Sequence, residues 1–225
     1  MFKYTALIIE PREHKAFSFV INNFLCNLSN EWGILIFHGT KNGEYVKNIV
    51  DQLDETYKNR IINVINLQVD NLNHMTYSDF FLTKTFYDHI PTDTFLVFQT
   101  DSMILQENKD LIHSFLDYDY VGGPWVCDNR VGNGGLSIRN KNKMLEIIDS
   151  KGYINMNEDI YFSHDIDINI NYNVPDCSIA KMFSVETLFY DKPFGVHNCW
   201  MYLHKDNIDF LTNKYPEIKE LIELQ

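Results

Sequence analysis

Thr94-Phe95-Leu96-Val97-Phe98-Gln99-Thr100-Asp101-Ser102 decides the fold. Its first five residues are apolar or β-favouring without alternation, which is how a strand buried on both faces of a parallel sheet reads. The run stops at Gln99 and a carboxylate follows two residues later. In open α/β sheets the ligand crevice lies outside the carboxyl ends of the strands, so Asp101 stands where function is expected.

Similar strand runs precede it at Thr5 to Glu10, Gly33 to His38 and Ile61 to Leu67. Between the first two, Phe17, Val20, Ile21, Phe24, Leu25 and Leu28 recur at helical spacing and mark one buried helix face. Tyr45 to Leu53 and Tyr77 to His89 predict the next two helices. Successive βα units with right-handed crossovers build a nucleotide-binding half-sheet, with function expected just after Glu10, His38 and Gln99. Beyond it, glycines cluster between Gly122 and Gly135 and acids between Glu158 and Asp167, while helical patterns return at Lys141 to Asp149 and Asn207 to Leu224. The expectation is an α/β fold in one domain, 1–225, with a nucleotide-binding half (1–105) and a smaller α+β half (106–225).

Charge narrows the partners. The 225 residues carry 19 basic and 31 acidic side chains, a net −12, and no Lys/Arg-rich run. Such a chain repels polyanions, which argues against nucleic acid. Apolar stretches are only strand-sized, predicting neither a signal peptide nor a membrane span. Cys26, Cys127, Cys177 and Cys199 are irregularly spaced and read as reduced thiols of a cytosolic protein.

Each candidate residue has a plain and a chemical reading. Asp101 can cap a turn, or hold a hard divalent cation against a diphosphate. Asp117-Tyr118-Asp119 and Asp165-Ile166-Asp167 are literal Asp-x-Asp triplets, but neither follows a buried strand. The glycines of Gly122-Gly123-Pro124-Trp125 and Gly132-Asn133-Gly134-Gly135 make tight turns or let the backbone approach a ligand, and Trp125 is core or a platform for a sugar ring. Neither run is a dinucleotide fingerprint or a P-loop. Glu158 and Asp159 suit the first turn of a helix, and equally an orienting acid beside a general base. His197, in Gly195-Val196-His197, is a core histidine or a metal ligand.

The order of these segments resembles metal-dependent glycosyltransferases of the GT-A fold. Within them it is similar to an uncharacterised glycosyltransferase-like family known only as a domain of unknown function. The segments that carry the resemblance are Phe98-Gln99-Thr100-Asp101-Ser102, Asp119-Tyr120-Val121-Gly122-Gly123-Pro124-Trp125, Gly132-Asn133-Gly134-Gly135-Leu136-Ser137-Ile138-Arg139, Glu158-Asp159 and Gly195-Val196-His197. The resemblance implies a nucleotide-sugar donor, most often a UDP-sugar, and a glycan or protein hydroxyl acceptor. It implies Mn2+ or Mg2+ on Asp101 and His197, with Gln99 where relatives carry the first Asp of their motif. Donor contacts are expected from Glu10, Arg12, Tyr77, Lys84, Gln99, Thr100, Asp101, Trp125, Asn133, Gly134 and Gly135. Asp159 is the expected base and Glu158 its orienting partner, without the glycines that precede this pair in relatives. A carboxylate base fits inversion, and the same fold supports retention. The rival readings are a sugar-binding module that has lost catalysis, which Gln99 favours, and a metal-dependent phosphohydrolase, for which the clustered ligands are too few.

Overall fold

The computed structural model describes residues 1–126 and 131–225. The first half runs β1 (Tyr4–Ile9), α1 (Phe17–Asn27), β2 (Trp32–His38), α2 (Gly43–Asp51), α3 (Glu55–Lys58), β3 (Ile61–Asn66), α4 (His74–Phe81), a 3-10 turn over Lys84–His89 and β4 (Thr94–Phe98). After it come β5 (Ser102–Ile104), a 3-10 segment over Gln106–Ser114, β6 (Tyr120–Gly122), β7 (Leu136–Asn140), α5 (Lys141–Lys151), α6 (Glu158–Ser163) and α7 (Cys177–Phe183). The chain closes with β8 (Ser184–Val185), β9 (Gly195–His197), α8 (Lys205–Lys214) and α9 (Glu217–Glu223).

A six-stranded sheet in the order β3-β2-β1-β4-β7-β6 forms the centre, with the first four strands parallel, β7 antiparallel to β4, and β6 antiparallel to β7. Every residue of β1 and β2 is buried, whereas β3, at the edge, is half exposed. Alternation along the strands feeds two cores. Ala6, Ile8, Ile34, Ile36, Leu96 and Phe98 face α1, α8 and α9, while Leu7, Leu35, Phe95 and Val97 face α4, the Lys84–His89 turn and α5. Phe98 stacks on Phe24 of α1 with ring centroids 3.9 Å apart.

Two expected helices are divided. The Tyr77 to His89 pattern becomes α4 and a separate 3-10 turn, the break falling at Leu82 and Thr83. The Asn207 to Leu224 pattern becomes α8 and α9, parted at Pro216, which lacks an N–H and disfavours helix at the residue before it. Among the described residues no helix is long and apolar enough to cross a membrane. Cys26 and Cys199 are unlinked thiols, and Cys127 lies outside the described residues.

β4 does not simply end. Gln99 N–H donates to Ser102 Oγ (3.0 Å), and Ser102 Oγ donates back to Gln99 O (2.8 Å). That turn hands the chain to β5, the edge of a three-stranded sheet in the order β5-β9-β8. There Ser102 pairs with His197, and Asn198 N–H donates to Asp101 O (2.8 Å). The metal-candidate Asp and His are therefore neighbours by strand register.

Phe98→Ala, which removes a fully buried ring and unstacks Phe24, is expected to cost about 3–5 kcal/mol in equilibrium denaturation. A loss below about 1 kcal/mol would mean that the two faces of the sheet are not packed as described.

Candidate functional site

Two adjoining cavities open at the carboxyl ends of β1 and β4. One, of about 440 Å³, is lined by Ile9 to Arg12, Asn71 to His74, Tyr77 and Gln99 to Asp101. The other, of about 370 Å³, shares His74, Tyr77, Gln99 and Asp101 with it and extends to Trp125, Asn133, Gly134, Gly135, Glu158, Asp159, Glu186 and His197. A larger cavity of about 1040 Å³ lies elsewhere, between α1, the Gln106–Ser114 segment and α9 and away from the carboxyl ends of the strands.

Glu10 follows β1 almost fully buried and accepts three hydrogen bonds from Arg12, from its backbone N–H (2.9 Å), Nε (2.8 Å) and Nη2 (2.7 Å). The turn after His38 supports this corner and does not line either cavity. Asn42 accepts from Gly39 N–H (2.8 Å) and donates to the carbonyls of Glu10 and Arg12 (2.9 Å each). Function expected after His38 is thus replaced by a structural role. Thr100 Oγ1 sits 3.5 Å from Glu10 Oε2. Tyr77 lines both cavities, its hydroxyl buried near Gln99.

His197 stands at the centre. Its Nε2 lies 3.2 Å from Asp101 Oδ1 and 3.1 Å from Gln99 Oε1, and its Nδ1 lies 3.2 Å from Glu186 Oε1. Burial opposes charge on the imidazole, but Asp101 and then Glu186 push it up to about 10. Burial also opposes charge on Asp101, yet the His197 imidazolium holds its carboxyl below the usual carboxylate range. Asn198, the next residue, adopts left-handed backbone (φ +45°), a strained choice for a residue with a side chain. The cleft wall opposite is backbone of necessity: a Cβ on Gly135 would come within 2.1 Å of His197 Nε2, and one on Gly134 within 2.3 Å of Glu158 Oε1.

Glu158 and Asp159 open α6 but have different surroundings. Both Glu158 oxygens are engaged, Oε1 accepting from Arg139 Nη2 (3.0 Å) and Oε2 from Ser78 Oγ (3.0 Å). Ser78 Oγ also accepts from Glu158 N–H (3.1 Å), capping the helix from α4. Arg139 is completely buried on β7, its guanidinium over the rings of Phe81 (4.6 Å) and Tyr120 (5.2 Å). Glu158 is therefore an anchored carboxylate and not a free orienting partner. Asp159 retains a carboxyl oxygen clear of that network, with Oδ1 accepting from Ile160 N–H (2.7 Å). Burial and then the Glu158 charge raise it to about 7.

Among the described residues no group of three His, Cys, Asp or Glu forms a ready metal cage. The donors that converge are Asp101 Oδ1 and His197 Nε2 with the Gln99 amide oxygen, and Asp101 Oδ1 is buried with His197 as its facing group. Oxygen donors plus one imidazole suit Mn2+ or Mg2+ with substrate oxygens completing the shell.

A family model described as a protein of unknown function, DUF5672, matches residues 62–197. The chain belongs to that family. The match takes in Asp101, Gly134, Gly135, Asp159 and His197 and leaves Glu10 and Arg12 outside. No curated protein matches the sequence. The galactosyltransferase LgtC, solved with donor and acceptor sugar analogues, is similar in structure with a TM-score of 0.56, covering 96% of this chain and 94% of its own at 10% identity. The apo-form glycosyltransferase GlyE of Streptococcus pneumoniae TIGR4 has a TM-score of 0.53, covering 99% of this chain and 63% of its own at 14% identity. At these identities the likeness is one of fold. This DUF5672 chain has the α/β architecture of GT-A glycosyltransferases, a mostly parallel sheet flanked by helices.

Of the expected donor contacts, Lys84 is not brought to the cleft. The break after α4 turns it outward, where its ammonium pairs with Asp149 of α5. Neither Asp-x-Asp triplet enters the cleft: Asp119 accepts from Asn173 N–H (2.8 Å) and Asp167 from Asn169 N–H (2.9 Å). Trp125 lines the cleft, its ring centroid 5.6 Å from that of His164, with neighbours held by Thr187 Oγ1, which donates to Pro124 O (3.0 Å) and accepts from Val126 N–H (3.2 Å). Glu186, Arg139 and Ser78 were not singled out by sequence. A hydrophobic run ending in Ser137-Ile138-Arg139 gives one usable hint, since a cation inside a strand pattern requires a buried anion.

Arg139→Met should strand the Glu158 charge and destabilise the fold by about 3–5 kcal/mol, and adding Glu158→Gln should restore part of that loss. Additive effects in this double-mutant cycle would remove the ion pair as an anchor. Because Asp159 holds its proton more tightly when folded than at the ordinary value of 3.8, its contribution to stability falls as pH rises from there to about 7. Asp159→Asn should thus gain thermal stability over wild type across that window and hold a constant lead above it. A lead independent of pH would contradict the environment described for Asp159.

Proposed function

We propose that the chain transfers a sugar from a nucleotide-sugar donor, of the UDP class, to a hydroxyl acceptor with the help of a divalent cation. The observation that carries this reading is the pair of adjoining cavities. Asp101, Gln99 and His197 converge at their junction, and Asp159, raised to about 7, lines the same compartment as Trp125, Gly134 and Gly135. In this reading residues 1–105 supply the nucleotide side and 106–225 the acceptor side of one domain.

The nucleoside diphosphate occupies the compartment of Glu10, Arg12, Tyr77 and Thr100. Glu10 fixes Arg12 at the mouth, where its partly exposed guanidinium faces the donor phosphates. The buried Tyr77 hydroxyl, near Gln99, can give or take a hydrogen bond at the junction. Asp101 and His197 would hold Mn2+ or Mg2+, with Gln99 beside them. When bound, the cation offsets the charge that develops on the diphosphate leaving group.

The sugar lies against the Gly134-Gly135 backbone and the face of Trp125. Asp159 takes the acceptor proton as the hydroxyl oxygen attacks, and its raised carboxyl makes it half ionised near neutral pH, where a general base works well. Glu158, held by Arg139 and Ser78, positions Asp159 and does not touch the acceptor. An in-line attack of this kind inverts the anomeric centre.

Incubation with Mn2+ and a panel of nucleotide sugars, read as release of nucleoside diphosphate with and without acceptor sugars, tests the reading. Activity should rise with pH through about 7 as Asp159 loses its proton. Asp101→Ala should lose donor binding and turnover together, whereas Asp159→Asn should keep donor binding and lose transfer by roughly 100-fold or more. No turnover and no metal-dependent thermal stabilisation by any donor would defeat the proposal. Full transfer by Asp159→Asn would remove the base.

A further inference from the structure

Among the described residues, Glu186 is the one acid of the cleft to which neither a sequence motif nor the proposed reaction gives a task. It is 6% exposed and follows the two-residue strand β8. Parallel pairing of Val185 with Val196 brings the residues that follow, Glu186 and His197, alongside each other. A carboxylate shut away from water is costly unless it meets a donor or a cation. Here Glu186 Oε1 lies 3.2 Å from His197 Nδ1, and the ring's other nitrogen points to Asp101 Oδ1 and Gln99 Oε1. The following residue, Thr187, is tied to the carbonyl of Pro124 and the N–H of Val126, which holds the Glu186 backbone in place.

An imidazole binds a metal through one nitrogen only when that nitrogen is deprotonated and the ring is turned toward the ion. The partner of the other nitrogen settles both points, and a carboxylate there also makes the ring a stronger ligand. We propose that Glu186 is the positioning residue for the divalent cation. It accepts Nδ1–H of His197 and so turns Nε2 toward the ion shared with Asp101, the Nε2 proton passing to solvent as the ion takes its lone pair. Glu186 stands on the opposite side of the ring from Asp101 and does not itself ligate. The inference rests on the metal-dependent reading above and adds a residue to it.

The test measures Mn2+ affinity of the full chain by loss of the free-ion electron paramagnetic resonance signal, with and without UDP. Glu186→Ala is expected to weaken Mn2+ binding about 10- to 100-fold. Glu186→Gln, which keeps the size of the side chain and an acceptor oxygen but not the charge, should fall between Ala and wild type. Circular dichroism confirms that each protein is folded, and the Gln variant decides the matter if the Ala variant is not. A graded loss of Mn2+ affinity among folded proteins is the expected result, because a purely structural role would lower stability without ordering the affinities in this way. Wild-type Mn2+ affinity in the folded Glu186 variants overturns the inference alone. A wild-type chain that binds no Mn2+ in either condition overturns the metal-dependent reading together with it.

Discussion

The site depends on the two hydrogen bonds between Gln99 and the Ser102 hydroxyl. They stop β4 from extending further into the six-stranded sheet and redirect the chain into a second, smaller one. Once Ser102 is in register with His197, Asp101 and His197 have little choice of position, and the Asn198 N–H bond to Asp101 O locks the corner. The central sheet supplies a rigid rim, and the small sheet supplies the other bank of the cleft. Residues far apart in the chain thus meet through backbone pairing, and their side chains need only modest further guidance.

Charge organises the cleft as strongly as geometry does. Asp101, Glu158, Asp159 and Glu186 all line one cavity. Arg139 compensates Glu158 from below, and the His197 imidazolium lies between Asp101 and Glu186. Asp159, buried and beside the Glu158 charge, is the one whose carboxyl rises to about 7. A cavity so rich in carboxylates in a chain of net charge −12 repels a bare phosphate and attracts a cation.

Much of this was legible in the sequence because the parallel strands are uniformly apolar and stop at polar residues. Periodicity located β1 to β4 and α1, and strand ends pointed to Glu10, Gln99 and Asp101. Pattern could not reveal pairings across the chain. Glu186 follows a strand of two residues, too short for any alternation to show. Arg139 reads as the polar end of an ordinary strand until Phe81, Tyr120 and Glu158 close around it. Glu158 and Asp159, adjacent and chemically alike, look interchangeable, and only Ser78, from a distant helix, separates an anchored acid from an available one. Lys84 was misplaced because helical spacing continued past Leu82, where the backbone itself breaks.

The pairing of Ser102 with His197 also has a kinetic side. It joins segments nearly a hundred residues apart, so the loop between them must be closed before any of its contacts repay the entropy lost. The four parallel strands all come from the first half of the chain, with Asp101 at their rim. The second carboxylate and the imidazole that complete the corner arrive only when β8 and β9 have been made and docked. The corner is therefore complete in neither half of the sequence alone, and it exists only where the small sheet docks on the large one.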